Sequence, residues 1–268
     1  MKLALMDGAV GKLVESGELP SLGFRAVQVF FGHGPDGAAD DPDPDALGAR
    51  LHEESVALAA MTLHVDLVGA QGARPEDVAR AVACVTKTAE LDRYFGADVQ
   101  PLLIWHPSRY PEGDAADLDD VVFDGLCDAL GEVTRIAERH GVVIAVEITR
   151  AGSIGSAEGF LRVRDRVGSP ALQVCMDAAN FTPDRTPLER AVRMLGRETA
   201  IVHGKDVRFD ETGYVADYGP TGAGTLDYDA YMRYVGEYVM APYFVLEYYR
   251  TRADLLRARD IVRDRMSS

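Results

Sequence analysis

Four residues of types that bind metal ions each close a short apolar stretch in the second half of the chain: Glu147, Asp177, His203 and Glu247. A carboxylate at the end of a buried apolar stretch is costly unless it is paired or bound to a metal. Three carboxylates and one imidazole form a hard, oxygen-rich ligand set that suits Mn²⁺, Mg²⁺ or Co²⁺, and Zn²⁺ also accepts these ligands. We therefore predict that the four residues hold one divalent metal ion, with Mn²⁺ as the first choice.

The metal prediction depends on the elements that carry these four residues. Short apolar stretches alternate with longer helical patterns along the whole chain of 268 residues. Stretches such as VVIAVE, LQVCMD and YFVLE are apolar almost throughout, which is typical of parallel strands buried on both faces. The eight predicted strands are Lys2–Met6, Ala26–Phe30, Met61–Val65, Pro101–Trp105, Val142–Glu147, Leu172–Asp177, Ala200–His203 and Tyr243–Glu247.

Helical patterns fill most of the chain between these strands. Gly141 and Gly168 stand where two of the helices should end. Alternating strands and helices predict a (β/α)8 TIM barrel, an α/β fold, as a single domain over residues 1–268. A doubly wound open sheet is the alternative, because the number of strands does not show closure. The predicted helices are Asp45–Ala59, Pro75–Phe95, Leu118–His140, Ser156–Val167, Pro187–Leu195, Asp227–Val239 and Arg252–Met266.

In a barrel, the carboxyl ends of all strands meet at one rim, so the four candidate ligands should converge there. The segments that end these strands resemble the sugar phosphate isomerase/epimerase family, the xylose isomerase-like TIM barrels. This family includes ketose 3-epimerases, inosose-processing enzymes and nucleases of the endonuclease IV type. The resemblance extends from residues 23–32 to residues 222–228 and is most specific in the segments AVEI (145–148), CMDAAN (175–180), VHGKD (202–206) and FVLEY (244–248).

The resemblance implies roles for the four residues. They match the single metal site of the family, and Glu147 and Glu247 match the acid and base that act on opposite sides of the substrate. A metal that binds a carbonyl oxygen and a neighbouring hydroxyl group acidifies the C–H bond between them and stabilises the enediolate. We therefore expect an isomerase or epimerase that acts on a keto-sugar or keto-cyclitol by proton transfer.

Five further residues are candidates for substrate binding. His64 and His106 lie at the ends of predicted strands three and four, where a purely structural role is the alternative. Lys205 and Arg208 follow His203 closely and could bind substrate oxygens, although Lys205 could equally be a solvated loop residue. Trp105 could line the substrate cavity or belong to the core.

Two loops have distinctive compositions. The segment Gly222-Ala-Gly224 follows no strand and lacks the third glycine of a dinucleotide-binding motif, so we predict a mobile loop over the site. The acidic segment Asp36–Asp45 is predicted to be a solvated insertion.

The composition argues against several partners. Acidic residues outnumber basic ones by 43 to 28, which gives a net charge of −15 and disfavours binding to nucleic acid. The nuclease branch of the family also needs histidines that are missing, since Asn180 stands three residues after Asp177 and no histidine follows His203. No stretch is apolar for long enough to span a membrane. Three widely spaced cysteines and the lack of a signal peptide lead us to expect a cytoplasmic protein.

Other functions stay open at this point. A lyase, such as an inosose dehydratase or an enzyme that eliminates from 3-oxo-glycosides, would use the same metal and the same first proton transfer. A non-catalytic accessory subunit could keep the metal site, but it would not need two opposed carboxylates. By analogy with the family, the expected partners are a small carbohydrate substrate and possible further copies of the chain in a homo-oligomer.

Overall fold

The computed structural model describes residues 1–68, 73–107, 114–150, 152–181 and 186–266. Eight parallel strands form a closed barrel, and two further antiparallel strands form a separate hairpin. Closure confirms the barrel and excludes the open sheet. The strands are β1 (Lys2–Met6), β2 (Phe24–Phe30), β3 (Ala57–His64), β4 (Leu102–His106), β5 (Val143–Glu147), β6 (Leu172–Asp177), β7 (Thr199–Gly204), β8 (Asp206–Phe209), β9 (Val215–Gly219) and β10 (Tyr243–Leu246).

Within the described residues, seven α-helices follow the strands along the chain. None of these helices is both long enough and apolar enough to cross a membrane. The helices are α1 (Pro44–Glu53), α2 (Pro75–Glu90), α3 (Asp120–His140), α4 (Ala157–Val167), α5 (Leu188–Leu195), α6 (Tyr228–Tyr238) and α7 (Arg252–Met266).

The prediction was wrong at the boundary between α1 and β3. We predicted one helix over Asp45–Ala59, but α1 ends at Glu53 and β3 begins at Ala57. Ser55, with a φ of 53°, turns the chain between them. The segment ALAAM favours a helix by its intrinsic propensity, but pairing with β2 and β4 makes it a central strand of the barrel.

The strand register decides which side chains point into the barrel. Paired residues of neighbouring parallel strands point to the same face, and successive residues of one strand point to opposite faces. Asp177 pairs with His203, and Glu147 pairs with Cys175. Because Cys175 and Asp177 are two residues apart on β6, the side chains of both pairs point to the same face, the barrel interior. Outward-facing side chains of the strands are buried beneath the helices, which places a second part of the core there.

The acidic loop before α1 is not simply a solvated insertion. The Asp41 side chain is only 5% exposed and accepts hydrogen bonds from Arg80 Nη1 at 2.8 Å and from Lys87 Nζ at 2.6 Å. Arg80 is also buried and donates to the Gly32 carbonyl oxygen at 3.1 Å. The loop is therefore tied to α2 by a buried ion pair.

We expect Asp41→Asn to lower the free energy of unfolding at pH 7 by about 3 kcal/mol, because it leaves the Arg80 guanidinium buried without a counter-charge. Urea unfolding measures this loss, and Asp40→Asn, at an exposed neighbouring position, is the control. Burial raises the pKa of Asp41, but hydrogen bonds from Arg80 and Lys87 outweigh it and lower the pKa from 3.8 to about 2. The difference between wild type and variant should therefore persist above about pH 4 and shrink as the pH falls towards 2. Equal stability at pH 7 would contradict the prediction.

Candidate metal centre

The four predicted metal ligands meet at the carboxyl-terminal rim of the barrel. One ligand atom from each of Glu147, Asp177, His203 and Glu247 lies within 4.8 Å of the others. All four residues are buried. The arrangement follows from the topology, because β5, β6, β7 and β10 are consecutive strands of the closed barrel.

The order of strands puts the two glutamates on either side of the other two residues. Glu147 ends β5, and Glu247 directly follows β10. His203 Nδ1 lies 3.9 Å from Glu147 Oε1 and 3.6 Å from Glu247 Oε1. The two carboxylates thus approach one point from different strands.

A buried lysine lies among the carboxylates. Lys205 Nζ contacts Asp177 Oδ2 and lies 3.1 Å from Glu247 Oε1 and 3.8 Å from Glu147 Oε1. Burial lowers the pKa of Lys205, but the three carboxylates outweigh it and raise the pKa well above its ordinary value. Lys205 is therefore a charged member of the cluster and not a solvated loop residue.

The charges and hydrogen bonds of the cluster fit a divalent cation. Three carboxylates and one ammonium leave a formal charge of about −2 when the imidazole is neutral, and burial lowers the pKa of His203. Within the described residues, Asp177 Oδ2, His203 Nδ1 and Glu247 Oε1 have no hydrogen-bond partner, although Lys205 contacts two of them as an ion pair. A divalent ion would neutralise the cluster and satisfy these atoms.

A hydrogen-bond chain sets the orientation of the His203 ring. His203 Nε2 lies 2.9 Å from Gln28 Oε1, and Gln28 Nε2 donates to Thr62 Oγ1, also at 2.9 Å. Because the Gln28 oxygen accepts, Nε2 carries the proton and Nδ1 presents its lone pair to the carboxylates. Neither Gln28 nor Thr62 was predicted from the sequence. The available signal was a glutamine inside the apolar strand FRAVQVF.

Asn180 is a third residue at this site whose role was not predicted from the sequence. It lies in a short 3₁₀ helix, Ala178–Asn180, that begins directly after β6. Its side-chain amide donates to Glu147 Oε1 at 3.2 Å, and both residues are buried. Asn180 thus orients the carboxylate of Glu147.

Glu247 differs from an ordinary surface glutamate in its protonation. Burial is the largest cause that raises its pKa, Asp177 adds to the effect, and Lys205 opposes it, with a resulting pKa of about 7. Without a bound cation, burial therefore makes Glu247 the carboxyl group of the cluster that is protonated most readily.

His64 and His106 lie on the opposite side of the barrel mouth from Glu247. They pair in register at the ends of β3 and β4, and their ring centres are 4.5 Å apart. His33 stacks on the other face of His64, also at 4.5 Å. Burial lowers the pKa of His64 to about 3, and His106 and His33 add to the effect, so His64 is neutral at physiological pH. Substrate binding by His64 and His106 stays a prediction, and the position of both at the rim is compatible with it.

The structure does not bring Trp105 and Arg208 into the cluster. Trp105 lies on the outer face of β4, where its Nε1 donates to the Val65 carbonyl oxygen at 2.9 Å and its side chain is buried. Arg208 lies in the hairpin, is exposed, and donates from Nε to the Ala223 carbonyl oxygen at 2.8 Å. Neither position supports substrate binding by these residues.

The glycine-rich loop, which we predicted to be mobile, is attached to the hairpin by hydrogen bonds. Asp206 is buried and accepts hydrogen bonds from the backbone N–H groups of Gly222 and Leu226 at 3.1 and 3.0 Å. A Cβ atom on Gly224 would come within 2.3 Å of Asp206 Oδ1, so glycine permits this close approach. Asp206 therefore anchors the loop, which explains the aspartate that follows Lys205.

Comparison with known proteins identifies the family. The model of the xylose isomerase-like TIM barrel family matches residues 18–266. The chain belongs to this family. A comparison with curated proteins gave no match.

Solved structures share the fold over nearly the whole chain. The IolI protein with a bound zinc atom is 16% identical, with a TM-score of 0.73 over 99% of this chain and 96% of that one. A D-allulose 3-epimerase from Methylomonas sp. in complex with D-allulose is 13% identical, with a TM-score of 0.69 over 100% and 95%. A probable 3-DHS dehydratase, AsbF from Bacillus anthracis, is 13% identical, with a TM-score of 0.69 over 100% and 98%. At such low identity, these similarities show the fold alone.

Proposed function

We propose that the protein is a divalent-metal-dependent isomerase or epimerase that moves a proton beside the carbonyl group of a keto-sugar or keto-cyclitol. The observation that carries the proposal is the position of Glu147 and Glu247, which flank Asp177 and His203 with all four ligand atoms within 4.8 Å. A site that only binds a metal does not need carboxylates on two sides of a substrate.

Glu147, Asp177, Glu247 and the Nδ1 atom of His203 would hold the metal ion. When bound, a divalent cation polarises the substrate carbonyl and thereby acidifies the neighbouring C–H bond. The zinc found in the IolI protein supports this assignment. Mn²⁺ remains our first choice because the ligand set is rich in oxygen.

The two glutamates divide the proton transfer between them. In an epimerisation, one carboxylate takes the proton from the carbon next to the carbonyl group. The other, in its protonated form, donates a proton to the opposite face of the same carbon, so the atoms of substrate and product balance. Burial of both side chains keeps bulk water from competing for the reacting carbon.

The remaining polar residues would position the substrate. Lys205 contacts all three carboxylates and would lie beside an oxygen atom of a substrate bound there. His64 and His106 would contact substrate hydroxyl groups from the other side of the rim, and the neutral state of His64 lets it act as donor and acceptor.

The test is a panel of sugars incubated with the Mn²⁺-loaded protein in D₂O: D-fructose, L-ribulose, 2-keto-myo-inositol and a methyl 3-oxo-glucoside. NMR spectra are recorded after the metal has been removed with EDTA. Deuterium next to the carbonyl group of a recovered or isomerised sugar, without loss of water, supports the proposal. An unsaturated product would support the lyase alternative. If no sugar in the panel exchanges deuterium, both the isomerase proposal and the lyase alternative are overturned.

We expect Gln28→Leu to weaken Mn²⁺ binding by about 10- to 100-fold, because His203 loses the hydrogen bond that fixes its tautomer and orientation. Calorimetric titration of the metal-free protein with Mn²⁺ measures the change. Gln100→Leu, at an exposed position, is the control. An unchanged dissociation constant in Gln28→Leu would show that Gln28 does not orient His203.

A further inference from the structure

Two tyrosine rings lie beside the metal-binding cluster, on the side of the hairpin. Tyr218 belongs to β9, and Tyr248 directly follows Glu247. Lys205 Nζ lies 5.0 Å from the centre of the Tyr218 ring and 5.1 Å from the centre of the Tyr248 ring. The two ring centres are 5.6 Å apart and tilted by 50°. Because Lys205 also contacts Asp177, the rings lie one side chain away from the proposed ligands.

The two rings are not fully used by the fold. Tyr248 is 50% exposed and Tyr218 is partly exposed, whereas Lys205 next to them is buried. Within the described parts of the chain, no hydrogen bond contributes to the pKa shift of either phenol group, and burial raises the pKa of both. Exposed aromatic faces beside a buried polar cluster are typical of ligand cavities.

Two segments of the chain hold the rings in this place. Tyr248 has a φ of 62°, in the left-handed region that is unfavourable for a tyrosine, and such strain is concentrated at functional sites. Arg250 donates to both carboxylate oxygens of Asp217 at 2.9 and 2.8 Å and to the Tyr218 carbonyl oxygen at 3.4 Å. The hairpin and the segment after β10 are thereby joined next to the two rings.

We propose that Tyr218 and Tyr248 form a wall of the substrate cavity that binds the C–H face of a sugar and determines specificity for it. The face of an aromatic ring carries partial negative charge, which attracts the partly positive C–H groups of a polyhydroxylated carbon chain. The two phenol hydroxyl groups are available to the hydroxyl groups of the same sugar. The proposal takes its substrate class from the proposed function.

Binding of D-fructose to the Mg²⁺-loaded protein, measured by saturation-transfer difference NMR, tests this wall independently of turnover. We expect Tyr218→Ala and Tyr248→Ala each to raise the dissociation constant by about 10-fold, because each removes one aromatic face. Tyr218→Phe and Tyr248→Phe keep the aromatic face and lose only one hydroxyl group, so each should raise the dissociation constant by less than the matching alanine variant does. Tyr214→Ala, at the exposed end of the same hairpin, is the matched control and should bind as wild type does.

Further measurements separate substrate contact from a structural role. Thermal unfolding and Mg²⁺ titration of each variant should match wild type, since both rings lie outside the ligand set. If Tyr218→Ala does not fold, Tyr218→Leu replaces it, because leucine fills space without an aromatic face. Alanine or leucine variants that fold and bind D-fructose as tightly as wild type would overturn the proposal.

The outcomes also separate this wall from the proposed reaction. Deuterium exchange in the sugar panel, together with unchanged D-fructose binding in both alanine variants, leaves the reaction in place and removes the wall. If D-fructose binding depends on both rings but no sugar exchanges deuterium, the proposal for the aromatic wall stands and the proposed reaction is overturned. If the wild-type protein binds neither D-fructose nor any other sugar of the panel, both the wall proposal and the proposed reaction are overturned.

Discussion

Replacing Glu247 with glutamine should lower kcat for sugar epimerisation by about 10³-fold, and Glu147→Gln should have an effect of similar size. Glutamine keeps the shape of the side chain and an oxygen that can coordinate, but it neither accepts nor donates the transferred proton. The substrate for this measurement is the panel sugar that exchanges fastest with the wild-type protein. Kinetics at saturating Mn²⁺, with metal content determined by mass spectrometry, separate lost chemistry from lost metal.

The two variants should differ in a way that a general loss of structure would not produce. With one carboxylate removed, the other can still exchange a proton with solvent on its own face. Each variant should therefore retain deuterium exchange in one epimer and lose interconversion. Glu237→Gln, at an exposed position of α6, is the control. Intact turnover in both site variants, with metal bound, would remove the acid and base assignment.

Asp177→Asn should weaken Mn²⁺ binding by more than about 10²-fold and abolish most activity. Asp177 is fully buried, and its carboxylate makes the closest contact with Lys205. Its loss leaves one negative charge fewer to balance Lys205 and the metal together. Substitution of a residue that only hydrogen-bonds to a metal ligand already lowers metal affinity by about 10- to 100-fold, so loss of a ligand should cost more. Calorimetric titration with Mn²⁺ measures the affinity, with the exposed Asp128→Asn as control. An unchanged affinity would show that Asp177 is not a ligand.

These two expectations depend on residues that could be located from the sequence. The strands that carry Glu147, Asp177 and His203 are apolar almost throughout, so the polar residue that ends each of them stands out. Barrel topology then brings these ends together without any knowledge of side-chain packing. For this reason the fold and the convergence of the four residues were predictable.

Other parts of the site depend on contacts between distant segments. The hairpin strands DVRF and VADYG are short and lack a strong apolar pattern, so they could not be predicted from the sequence. Their contacts with distant segments, such as the ion pair between Asp217 and Arg250, are visible only in the structure. Likewise, the partner of Gln28 lies 175 residues away in the chain. The alanine-rich start of β3 was read as a helix because local propensity favours one, whereas pairing within the barrel decides the outcome.

The pairing of β1 with β10 has a consequence for the order of folding. Leu3 pairs with Phe244, which joins nearly opposite ends of the described chain, and the strand so held is the one that positions Glu247. Contacts of such sequence separation form slowly because a long loop must close first. During synthesis, Glu147, Asp177 and His203 emerge before Glu247, so the nascent barrel has an incomplete proposed metal site until its last strand is added. Acquisition of the metal is therefore expected to be a late event that follows closure of the barrel.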